Sequence, residues 1–207
     1  PDEGEMVDVY FSRVLTVARE DAGQAATLGT DTHSGIEAIL RGKQWDKENL
    51  LLRSVADWVQ ENVELVHWQE EVLVNEFLGL AGRCDAFVKL KGIGNAVVDW
   101  KTRRFKQQKK GWKCHWYTKD VRQISFYAEC VERGLKSVCL DGSVAAINIG
   151  INTCEPTPVD VKQWTREERI DALEIVDAIN MVWQDENNYS PKGTEHRYLG
   201  ILMEEKK

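Results

Sequence analysis

Apolar residues recur at helical spacing through the first sixty positions, after which the period changes. Val7, Tyr10, Phe11, Val14, Leu15 and Val17 form a stripe that predicts a helix from Met6 to about Ala26. Leu28-Gly29-Thr30-Asp31 interrupts it, and Thr30 or Asp31 can cap a second helix from Thr32 to Arg41. On that helix His33, Ile36, Glu37 and Leu40 share one face. A third helix is expected from Lys47 to Glu61, capped by Asp46, with Leu51, Val55, Trp58 and Val59 inward. Residues 65–77 then read as a strand, Gly79 as a turn, and 81–90 as a second strand. Strand alternation puts Ala86, Val88 and Leu90 on one face, Asp85 and Phe87 on the other. Lys91 to Asn95 make a hairpin loop, and residues 96–102 the third strand.

Residues 103–119 have poor periodicity and read as a loop or partly ordered arch. A helix follows from Asp120 to Arg133 with Ile124, Tyr127, Ala128 and Val131 inward, then a strand over 144–151 and a weaker one from Val159 to Trp164. Thr165-Arg166-Glu167-Glu168 fits a capping box. It opens a last long helix carrying Ile170, Leu173, Val176, Ile179 and Trp183 at near-helical spacing. A strand meander, a crossover helix and a further strand make an α/β fold: a mixed sheet flanked by helices, with a right-handed crossover. No linker divides it, so one domain over 1–186 and a polar tail over 187–207 are expected.

Composition narrows the class. The chain has 207 residues, 43% of them apolar, and eight tryptophans, enough for a real core. Its net charge of −7 excludes a globally basic nucleic-acid coat, although a local patch can still steer phosphate. Five cysteines, an odd number without C-x-x-C spacing, argue against a disulfide framework or a zinc knuckle and for reduced thiols inside a cell. No apolar run approaches about 18 residues, so no membrane span is expected. The acidic start, Pro1-Asp2-Glu3-Gly4-Glu5, is not a signal peptide.

Candidate chemistry concentrates in Gly82-Arg83-Cys84-Asp85 and in Val97-Val98-Asp99-Trp100-Lys101-Thr102. Asp99 and Lys101, two apart on a strand, point to one face, and a hairpin partner can bring Asp85 beside them. Clustered carboxylates are costly unless neutralised, and a divalent cation would do so. Hard cations take carboxylate oxygens, so Asp85, Asp99 and the main-chain carbonyl of Trp100 are candidate ligands. His33 would add a nitrogen, which favours Mn²⁺ alongside Mg²⁺. Such an ion polarises a phosphate and lowers the pKa of bound water, and Lys101 would orient that water. Two aspartates at strand ends can also be merely solvated; the acid-x-lysine after Gly-x-x-Asp is the more specific signal. Immediately downstream, Lys101 to Arg122 hold nine cations against one acid, Asp120. Arg103, Arg104, Lys106, Lys109, Lys110, Lys113, Lys119 and Arg122, interleaved with Trp112 and Trp116, suit a single strand whose phosphates are neutralised and whose bases stack. His67, His115 and His196 lack such context and read as surface or packing residues.

Gly82-x-x-Asp85, Asp99-Trp100-Lys101-Thr102 and Gln123-x-x-x-Tyr127, preceded by Gly29-Thr30-Asp31-Thr32-His33-Ser34-Gly35-Ile36-Glu37, resemble the RecB-type branch of the PD-(D/E)xK nuclease superfamily. The motif set, spanning residues 29 to 127, is similar to that of phage-type and CRISPR-associated exonucleases and of the mitochondrial genome maintenance exonuclease. The resemblance implies a restriction-endonuclease-like fold and a Mg²⁺- or Mn²⁺-dependent DNA exonuclease of repair or recombination, acting on single-stranded ends. It implies His33, Asp85 and Asp99 as metal ligands and Lys101 as catalytic lysine. Gln123 and Tyr127 would support the site, with Glu37 behind the ligands. The family threads a strand under a helical arch, which residues 103–119 with the N-terminal helices would supply. Asp99 stands where the superfamily often has Glu. Some relatives bind an iron–sulfur cluster through one upstream cysteine and three near the C-terminus. Here no cysteine precedes Cys84 and only Cys154 follows Cys139, so no iron–sulfur cluster is expected. The implied setting is the cytoplasm of a bacterial or phage-infected cell, or the mitochondrial matrix if a leader has been removed. The alternatives are a structure-specific endonuclease of the same fold and an inactive DNA-binding or assembly subunit. Inactive copies usually lose the acid or the lysine, and both stand here.

Overall fold

A computed structural model describes residues 7–76, 78–137 and 143–191. The expectations for Cys139, His196 and most of the polar tail lie outside these residues, as do the side chains of Val7, Tyr10 and Phe11. The elements are α1 (Val7–Leu40), α2 (Leu50–Asn62), β1 (Val63–Asn75), β2 (Leu80–Leu90), β3 (Gly94–Arg103), β4 (Lys106–Gln108), β5 (Gly111–Lys113), α3 (Thr118–Ser137), β6 (Ala145–Asn152), β7 (Asp160–Trp164) and α4 (Arg166–Glu186).

One five-stranded mixed sheet runs in the order β1-β2-β3-β6-β7, and β4 and β5 form a separate small hairpin. Only β3 and β6 are parallel, joined through α3. Alternation along the strands divides the core. Ala86, Val88, Leu90, Val98, Trp100 and Ile149 pack with Ile36 of α1 and with Leu52 and Val55 of α2. Phe87, Val97 and Ala146 pack on the other face against Ile124, Tyr127, Ala128 and Val131 of α3. The inward stripe expected for α3 is therefore the buried one. No helix among the described residues is long and apolar enough to cross a membrane.

Three expectations are corrected. The two N-terminal helices are one 34-residue helix. Thr30 and Thr32 do not cap a break; their hydroxyls donate back to the carbonyls of Ala26 (3.1 Å) and Leu28 (2.7 Å). A lone glycine costs a helix only about 1 kcal/mol relative to alanine, too little to break one that packs downstream. Second, α2 starts one turn late. Asn49 Oδ1 accepts from the N–H groups of Leu51 and Leu52, while Asp46 accepts from Glu48 N–H in the preceding turn. Third, residues 103–119, expected as a loop or partly ordered arch, carry the β4–β5 hairpin and the first residues of α3. On α4 the expected capping box is present. That helix, however, meets the body through Arg169, which donates to Val144 O and Glu132, and through Asn180 and Gln184, both donating to Leu78 O, and it leaves Ile170, Ile179 and Trp183 about half exposed.

Candidate active site

β2 and β3 pair from Leu90↔Gly94 up to Ala86↔Val98 and then part; β2 stays with β1 while β3 continues along β6. Asp85 and Asp99 stand in the fork. There the backbone N–H of Trp100 donates 2.8 Å to Asp85 Oδ2 in place of a strand partner. Cys84 and Phe87, three residues apart, both pack on the α3 side, so strict alternation slips between them. Asp85 is thereby presented to α1, and its Oδ2 lies 3.5 Å from His33 Nδ1. The Trp100 ring turns into the α2 face and meets Trp58 edge-on at 5.7 Å.

Asp99 and Lys101 project to the α3 face, as the two-residue strand spacing requires. Lys101 Nζ donates to Asp99 Oδ1 at 2.8 Å and lies 2.7 Å from Oδ2. It also donates 3.0 Å to Gln123 Oε1, and Gln123 Nε2 lies 3.1 Å from the Tyr127 hydroxyl. Four of the expected residues thus form one contact chain, Asp99–Lys101–Gln123–Tyr127, while Asp85 pairs with His33 and Trp100 N–H across the fork. Gly82 belongs to it sterically: a Cβ there would fall 2.8 Å from Tyr127 Cε1.

A residue not singled out from the sequence joins His33 and Asp85, while the expected ligand Asp99 lies outside that group. His33, Glu70 and Asp85 each offer a ligand atom within 4.8 Å of the others. Glu70, in β1, holds a left-handed backbone (φ 54°), an uncommon state for a non-glycine residue that often marks a functional site. A positive φ leaves no trace in sequence, and Glu70 is one of several acids in its strand. Glu37 lines the same cleft of about 510 Å³, with Gly29, Thr30, His33, Glu70 and Arg83, and pairs with Arg41 one turn on.

Burial pushes the Asp85 carboxyl well above the usual carboxylate range, and Asp99 adds to this; the Trp100 N–H and Lys101 only partly offset it. Burial likewise raises Asp99, despite its ion pair with Lys101. Two buried acids biased toward protonation fit a divalent cation, which would restore both charges. Carboxylate oxygens with one imidazole suit Mg²⁺ or Mn²⁺. Burial raises the Tyr127 hydroxyl as well, so it stays a neutral phenol.

The basic stretch divides in two. Arg103 faces inward: its guanidinium grips buried Asp120 through two bonds of 2.6 and 2.7 Å, donates to His115 O and lies 4.7 Å from the Tyr117 ring centre. Burial opposes the Asp120 charge, yet the bonds from Arg103 and from Tyr117 N–H hold its carboxyl below the usual range. Arg103, expected as a nucleic-acid contact, thus has its guanidinium engaged by Asp120. Lys113 is engaged by Asp160 at 2.8 Å, and Arg122, Trp112 and Trp116 are half-buried. Arg104, Lys106, Lys109, Lys110 and Lys119 are exposed. The hairpin base is seated by Phe105 and Cys114, which crowd Gly150, the β6 residue paired with Lys101. His67 stacks on Phe87 at 4.6 Å, a packing role. Among the described cysteines, Cys84, Cys114, Cys130 and Cys154 are free thiols.

No protein-family model matches the chain, and no curated protein matches it. Among solved structures, it is similar to one described as "Putative exonuclease" from Eubacterium rectale, with a TM-score of 0.51 at 14% identity, over 80% of this chain and 68% of that one. At that identity the likeness is one of fold: this chain shares the mixed, helix-flanked sheet of that protein.

Proposed function

We propose that the chain is a divalent-metal-dependent DNA exonuclease acting on single-stranded ends. The observation that carries the reading is the strand fork, where Asp85 groups with His33 and Glu70 while the neighbouring acid Asp99, paired with Lys101, acts on Asp85 electrostatically. The likeness in fold to a protein described as an exonuclease supports it. His33, Glu70, Asp85, Asp99 and the Trp100 carbonyl are the groups that would hold Mg²⁺ or Mn²⁺. When bound, the ion supplies Lewis-acid polarisation of the scissile phosphate and a water acidic enough to attack near neutral pH. Lys101 places its ammonium where negative charge develops and orients the attacking water. Gln123, fixed by Tyr127, sets the direction of that ammonium. The exposed cations around β4 and β5 bring the phosphate backbone toward Lys101.

The test is end-labelled linear DNA against closed circular single-stranded DNA, with Mg²⁺ or Mn²⁺ added. Progressive loss of label from linear DNA only is the expected result. Cutting of the circle would make it an endonuclease, and metal-dependent binding without turnover an inactive subunit. Asp99→Ala and Lys101→Ala should each abolish cleavage while circular dichroism stays native; activity retained in both would sink the assignment.

A further inference from the structure

We infer that Asn148 is a positioning residue for Asp99, held in its working orientation by the indole of Trp164. The inference rests on the nuclease reading only in what Asp99 is positioned for.

Asn148 lies in β6, in the run Ala145-Ala146-Ile147-Asn148-Ile149, and is fully buried. An amide in such a strand is costly to bury unless all its bonds are made. Its ladder partner in β3 is Asp99. The side-chain Nδ2 donates 2.6 Å to Asp99 Oδ2, and Oδ1 accepts 2.7 Å from Trp164 Nε1. The indole nitrogen can only donate, so the amide oxygen must face Trp164 and its NH₂ must face Asp99. Trp164 is itself clamped: Lys162 Nζ lies 4.4 Å from its ring centre and bonds Glu168, the capping-box residue of α4. A relay therefore runs from the start of α4 to the acid in the fork. With Lys101 and Asn148 both on Oδ2 and Lys101 alone donating to Oδ1, the free lone pair of Asp99 lies on Oδ1. The carboxylate cannot rotate without breaking the relay.

The experiment compares the full chain with Asn148→Val, Trp164→Phe and the double variant. Mn²⁺ affinity is read without DNA by electron paramagnetic resonance of the free ion. Protection of the Trp164 indole N–H from solvent exchange is read by NMR in EDTA. Asn148→Val should bind Mn²⁺ about 10–100-fold more weakly, the usual cost of removing a group that orients a ligand. It should also lose indole protection. Trp164→Phe frees the amide to rotate and should cost several-fold, but nothing further once Asn148 is valine, because both act through one chain. Lower kcat at unchanged KM should accompany the affinity loss. Wild-type Mn²⁺ affinity in Asn148→Val, or equal penalties for Trp164→Phe in both backgrounds, would overturn the inference. If the wild-type indole is protected yet no metal binds and no DNA is cut, the relay stands as architecture. The nuclease reading falls, and with it the purpose assigned to Asn148.

Discussion

Glu70 stands beside His33 and Asp85 with its backbone in a left-handed conformation inside a strand, a state costing about 1–3 kcal/mol for a non-glycine residue. Glu70→Gln keeps that strain and the side-chain shape while removing the charge. Mn²⁺ affinity should fall at least about tenfold with the melting temperature in EDTA not lowered; unchanged affinity would remove Glu70 from the ligand set. Gly82 makes the complementary argument. The Tyr127 ring occupies the space a Cβ would need, with the hydroxyl only 3.1 Å from that position. Gly82→Ala should therefore cost about 1–3 kcal/mol in denaturant melts, as overpacked cores do. It should also lower kcat by displacing Tyr127 from Gln123. The same alanine added to Tyr127→Ala should cost less, since the clash is gone. Equal cost in both backgrounds would refute a steric link between the Gly-x-x-Asp and Gln-x-x-x-Tyr motifs.

Among the elements, α1 and the β4–β5 hairpin differ most from their sequence signals, for different reasons. Gly29-Thr30-Asp31 carries stop and cap chemistry, but the threonine hydroxyls bond one turn back and His33 and Ile36 dock on the sheet. Tertiary contact outweighs a weak local preference there. In the hairpin, strands of three residues are too short for alternation to register. What holds it is long-range: Arg103 on Asp120, Lys113 on Asp160, and Phe105 N–H on Asn152. Lys106 and Lys113 stand directly opposite, a like-charge pair that disfavours the hairpin by itself and that Asp160 relieves by pairing with Lys113. Lys109 and Lys110 form its tip, exposed and without a carboxylate in the turn. Lys109→Ala with Lys110→Ala should raise KM several-fold at unchanged kcat. It should also lower the salt dependence of single-strand binding by about 1.4 in log–log slope, from about 0.7 per phosphate contact. An unchanged slope would take the hairpin tip off the DNA path.

At the scale of the whole molecule, the sheet and its flanking helices were legible because apolar periodicity marks α2, α3 and the central strands, whereas in α1 and α4 it runs through exposed residues such as Leu15, Val17, Ile179 and Trp183. Asp99 and Lys101 were legible because a strand fixes them on one face. The fork itself was not, since it depends on β3 leaving β2 for a strand some fifty residues downstream. Asn148 was hidden for the same reason: within its own strand it is one of two asparagines spaced among isoleucines. That remote assembly also makes stability sensitive to pH and, on the function proposed above, to a divalent metal. Asp85 and Asp99 have carboxyl pKa values raised on folding, chiefly by burial. A raised folded pKa favours the fold while the acid is protonated. This stabilisation is complete below the ordinary carboxylate value of about 4 and is lost as pH climbs through the raised values. Without metal, the protein should therefore melt at lower temperature at about pH 8 than at about pH 5. A divalent ion binds the ionised acids and competes with protons for them, so Mn²⁺ should raise the melting temperature little at the lower pH and more at the higher. Asp85→Asn keeps an acceptor for Trp100 N–H and removes the buried charge. It should raise the metal-free melting temperature at the higher pH and abolish most of the Mn²⁺ response. Thermal scans with EDTA or Mn²⁺ at the two pH values decide it: an equal metal response at both, in wild type and Asp85→Asn alike, would mean that the acids in the fork do not hold the ion.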